Sequence, residues 1–90
     1  MNQAQWLKTK EGIVRTIARE YPKFTKIHVI PMPGYNAELF QTMSVFSTAL
    51  RKACYGNIVN LYRSHAAQGD SEEFWAVTGL FVEGVPTKAE

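Results

Sequence analysis

Apolar residues recur at helical spacing along the first twenty positions. Trp6, Leu7, Ile13, Val14, Ile17 and Tyr21 fall on one face of a 3.6-residue period. Lys8, Arg15 and Arg19 share the opposite face. This pattern predicts a helix over roughly 3–20. Asn2 is placed to cap it, and Gln5 completes an Asn-x-x-Gln variant of the capping box. Gly12 weakens the helix by about 1 kcal/mol relative to alanine. Lys10 sits awkwardly inside the apolar arc, so either it snorkels to water at the helix end or the true helix starts later. Pro22 stops the helix, because it lacks an N–H and its ring clashes with the preceding turn.

The period then changes. Phe24 to Ile30 is rich in β-branched residues and reads as a strand. Pro31, Met32, Pro33 and Gly34 end it with a stiff connector and a turn. Asn36 is a natural N-cap for a second helix, with Glu38 suited to its first turn. Leu39, Phe40, Met43, Phe46, Leu50, Ala53 and Cys54 line one face of that helix. The pattern runs on through Ile58, Leu61 and Tyr62 to about Ala67. One helix over 37–67 would be about 46 Å long, too long for a domain with a radius of gyration near 12 Å. A break at Gly56-Asn57 is therefore expected, the rival being a long helix covered by a second subunit. Gln68, Gly69 and Asp70 form a stop and a turn.

Phe74 to Val82 is apolar on both alternating faces and reads as a covered strand, with Gly79 at a bulge or a close approach. The expected architecture is α/β: helix, strand, one or two helices, strand, with the helices packed on a small sheet. Two strands are marginal in water. Dimerisation that joins sheets, or a third strand near 83–87, would complete the sheet. Residues 1–83 are expected to form this single domain, with 84–90 a flexible tail.

Composition adds little until charge is mapped. The chain has 90 residues and a formal net charge of +2, which is unremarkable. The distribution is not. Six bases against Glu11 and Glu20 leave residues 1–26 at +4. One base, Lys88, against five acids leaves residues 70–90 at −4. The N-terminal end can meet an anionic partner that the other end repels. Lys8, Arg15 and Arg19, followed by Lys23 and Lys26, are the candidate binding residues, against the plain alternative of a solvated helix face. Tyr35, on a turn between stiff residues, is either an interface anchor or a side chain packed down on the sheet.

Catalytic and metal readings find little support. Cys54 is the single cysteine. It falls beside Leu50 and Leu61 and is expected to be a buried, inert small hydrophobe. One unpaired cysteine and the absence of a basic-then-apolar leader favour a reducing, cytoplasmic setting. His28 and His65 stand far apart, without metal-ligand spacing. Ser64 and His65 are neighbours that point about 100° apart on a helix, so they do not start a triad. Glu72 and Glu73 would point to opposite faces of a strand. No stretch approaches a membrane span, and nothing calls for a cofactor.

The reading is a small non-catalytic binding protein. It would act as an accessory or inhibitor by docking onto a larger protein or nucleoprotein assembly with an anionic surface. Small proteins of phages and mobile elements that block host machinery have this lean makeup. The alternative is direct binding of RNA or DNA through the basic N-terminal face.

Overall fold

The computed structural model describes residues 2–87. It contains α1 (Gln3–Glu20), α2 (Leu39–Lys52), a 3-10 turn (Gly56–Ile58), α3 (Val59–Ala66) and α4 (Ser71–Thr78). There is no β-strand among the described residues, so the fold is all-α and the expected α/β architecture is wrong. The argument for completing a sheet by dimerisation falls with it.

α1 forms where the amphipathic period places it. Asn2 Oδ1 accepts from the N–H groups of Ala4 (2.8 Å) and Gln5 (3.3 Å), which satisfies donors the helix cannot pair internally. At the other end Tyr21 N–H closes on Ile17 O before Pro22.

α2 starts two residues later than the Asn36 cap implied. Glu38 is the cap, its Oε2 accepting from Gln41 N–H at 2.6 Å. A carboxylate suits this place as well as an amide does, since the helix dipole favours negative charge there.

The long amphipathic stretch does break. It breaks at Ala53–Tyr55, just before the expected Gly56-Asn57. Tyr55 N–H bonds Leu50 O (2.8 Å) and Cys54 N–H bonds Arg51 O (3.0 Å). These are the two bonds of a Schellman motif, which needs a left-handed residue one position past the cap. Cys54 supplies it with φ of 69°. Its side chain is thereby turned to solvent, and the expected burial of Cys54 does not hold.

The largest departure is at the C-terminal side. α4 (Ser71–Thr78) takes residues 74–78 of the expected Phe74–Val82 strand. Asp70 Oδ1 accepts from Glu73 N–H at 3.1 Å, and Glu72 and Glu73 lie in the first turn, where the dipole favours them. They do not flank a strand. Phe74, Trp75, Val77 and Thr78 are all buried, so the segment has no polar face to betray its period. A short apolar run of this kind fits a buried strand or a buried helix equally well.

The expected Phe24–Ile30 strand does not form, and only Ile27 pairs. Ile27 N–H donates to Phe81 O (3.0 Å), and Glu83 N–H donates to Ile27 O (2.9 Å). This isolated parallel bridge between Ile27 and Val82 is all that remains of the expected sheet. Val85 packs back toward the core beside Gly79. Residues 88–90 of the expected tail lie outside the described residues.

The core joins all four helices. Phe46 and Leu50 of α2, Val59 and Tyr62 of α3, and Phe74 of α4 meet Ile13 and Ile17 of α1. Phe81 and Val82 close it from the turn after α4. The radius of gyration is 12.4 Å.

Candidate partner-binding groove

The basic residues fall where the helical period puts them. Lys8, Arg15 and Arg19 are exposed along the outer face of α1, and Lys23 and Lys26 are exposed on the segment that follows. Arg15 is not free: its guanidinium pairs with Glu11 Oε1 at 2.6 Å. Both partners are solvent-exposed, so the pair adds little stability, but it neutralises the middle of the cationic row.

The apolar arc of α1 is wider than its buried part. Ile13 and Ile17 are buried, whereas Leu7 is 54% and Val14 47% exposed. At 100° per residue, Leu7, Val14 and Ala18 form a stripe between the buried face and the cationic face. Val14 and Ala18 of this stripe line a groove of about 400 Å³. Val14, Ile17 and Ala18 supply the α1 wall, Pro22 and Phe24 the end, and Leu80 contributes from the turn after α4. Lys10 and Lys26 also line it, and both are exposed.

An aromatic cluster holds this shape. Tyr21 and Tyr55 meet edge to face with ring centres 5.0 Å apart, and Phe24 lies 4.7 Å from Tyr55. Tyr21 Oη accepts from Asn57 N–H at 3.0 Å. The chain after α1 is thus pinned to the 3-10 turn, which carries Lys26 back to the groove that Lys10 borders.

Lys26 was singled out in the sequence for its charge, with no sign of the groove it lines. Lys10 was passed over because that residue interrupted the apolar arc. The interruption was itself the signal, since a lysine inside an apolar stripe marks a face that water reaches. Tyr35 goes the other way. It is half-buried, its ring stacks on Trp75 at 6.4 Å, and its carbonyl oxygen accepts from Trp75 Nε1 at 3.0 Å. Tyr35 packs inward as the second expectation had it, but against Trp75 of α4 and not on a sheet.

No group of three or more His, Cys, Asp or Glu side chains gathers to hold a metal among the described residues. No helix there is long and apolar enough to cross a membrane. Compared with known protein families, curated proteins and solved structures, the chain matches none.

Proposed function

We propose that this chain is a non-catalytic binding module that docks onto a larger protein by seating one acidic, amphipathic helix of that partner in the α1 groove. One observation supports this above the others: an apolar groove left open to water with two exposed lysines, Lys10 and Lys26, in its lining. An amphipathic helix buries its apolar face in such a groove. Carboxylates along its flanks would meet the two ammonium groups, and the exposed cations of α1 would speed the encounter. An accessory or inhibitory role follows from occupying a partner's helix rather than transforming it.

The test is fluorescence anisotropy with a labelled peptide carrying leucines at i, i+3, i+4 and i+7 and glutamates on both flanks. A scrambled peptide of equal charge is the control. Micromolar binding of the patterned peptide alone is expected. Val14→Glu, at an exposed position, should abolish it, and Lys10→Ala with Lys26→Ala should weaken it about tenfold or more. Short DNA and RNA are run in parallel at 50 and 200 mM salt. Tighter, steeply salt-dependent binding of nucleic acid, lost in Lys8→Ala/Arg15→Ala/Arg19→Ala, would replace this reading with the nucleic-acid one. A dimer by light scattering that Val14→Glu dissociates would assign the groove to a second copy instead.

A further inference from the structure

A second concavity lies on the other flank of α1, with different chemistry. Gln5, Trp6 and Thr9 of α1 line a cleft of about 200 Å³ with His65 of α3, Gln68 just after it, and Glu73 of α4. At 100° per residue, Gln5 and Thr9 point away from the Val14–Ala18 side of the helix. Cleft and groove are therefore separate surfaces.

The lining is rich in hydrogen-bond acceptors. Glu73 offers a carboxylate, Gln5 and Gln68 each a carboxamide oxygen, and Thr9 a hydroxyl. His65 adds an imidazole ring to the lining. None of these five side chains hydrogen-bonds another protein group among the described residues, whose side-chain bonds lie elsewhere. Trp6 contributes the aromatic surface. It is half-buried against the core, so its position is fixed by packing.

Glu73 is the one acidic side chain in the cleft. Its backbone N–H bonds the Asp70 side chain. Its own side chain lies so close over Gly69 that an added Cβ at that residue would overlap the Glu73 carboxylate. Glycine at 69 leaves the carboxylate its space.

An aromatic wall, one carboxylate and several acceptors define a particular ligand. A guanidinium is planar, carries five donors and no acceptor, and stacks on aromatic faces. An ammonium is a strongly hydrated point charge that gains less from such a wall. We propose that this cleft receives a guanidinium group, presented as an arginine side chain of a partner protein. The site is independent of the groove, and its occupant need not be the protein that fills the groove.

The experiment is an NMR titration of the ¹⁵N-labelled chain with N-acetyl-arginine amide. N-acetyl-citrulline amide, which has the same shape without the charge, and N-acetyl-lysine amide are the comparisons. Saturable shifts are expected at the Trp6 indole N–H and at the Gln5 and Gln68 side-chain amides. Citrulline should give none, and lysine should bind several-fold more weakly. Glu73→Gln should weaken arginine binding about tenfold or more, and Gln68→Ala, at an exposed position, should weaken it several-fold with the fold intact. Val14→Glu, which blocks the groove, should leave it unchanged, so failure of one proposal is distinct from failure of the other. Equal response to citrulline, an unchanged affinity in Glu73→Gln, or no saturation would overturn the proposal. Tighter binding of free L-arginine than of its blocked form would overturn the protein source.

Discussion

The hydroxyl of Tyr62 stands 3.0 Å from Thr78 Oγ1, with both residues fully buried. Thr78 Oγ1 already donates its proton to Phe74 O at 2.7 Å. Tyr62 must therefore be the donor to Thr78. The relay Tyr62–Thr78–Phe74 crosses from α3 to α4 inside the core. The two substitutions differ in what they strand. Tyr62→Phe leaves Thr78 bonded to Phe74, and should cost about 1 kcal/mol. Thr78→Val buries an unpartnered phenol, and should cost about 1–3 kcal/mol. The double variant should be less destabilised than the two losses added together. Urea unfolding of all four proteins measures the cycle, and strict additivity would contradict the relay.

The same burial gives the fold a weakness at high pH. Desolvation pushes the Tyr62 hydroxyl well above its ordinary value of 10.0, against smaller opposing effects from Thr78 and Arg63. The folded state thus keeps a proton that the unfolded state releases above pH 10. A folded-state pKa raised in this way means that stability is intact below pH 10 and falls as pH rises past it. The slope from this group is about 1.4 kcal/mol per pH unit. Tyr62→Phe should flatten that part of the alkaline unfolding curve. Equal steepness in wild type and variant would refute the assignment.

Cys54 occupies the left-handed position of the Schellman motif, with φ of 69°. A left-handed backbone costs a side-chain-bearing residue roughly 1 kcal/mol, and glycine avoids that crowding. Cys54→Gly should stabilise the protein by up to about 1 kcal/mol, and Cys54→Val should destabilise it, because a β-branched residue fits this region worst. The thiol is exposed, so a thiol reagent should label native protein at a rate that does not depend on unfolding. Labelling that waits for denaturant would place the cysteine inside.

What was legible in the sequence is what chain-local physics decides. α1 could be read from a period, a capping amide and a proline, all within some twenty residues. The interruption between α2 and α3 followed from length alone, though the residue that makes it, Cys54, carries no signal for a left-handed turn. Asp70 with Glu73 did carry the signal of a helix start. Reading Gln68, Gly69 and Asp70 as a stop and a turn before the Phe74–Val82 run leaves that signal unused.

Only tertiary structure could decide that run. Apolar residues on every side erase the period that separates helix from strand, so α4 owes its identity to what surrounds it. The same holds for Ile27, which pairs with Val82 across 55 positions of chain. Charge could be counted from the sequence, but its placement could not. Lys10 and Lys26 share one groove because Tyr21 and Phe24 fold the chain back onto Tyr55. Trp6 and Glu73 share one cleft because α1 and α4 pack on the same core. Periodicity is a property of neighbours a few residues apart, whereas a binding surface is made by residues that only the packed chain brings together.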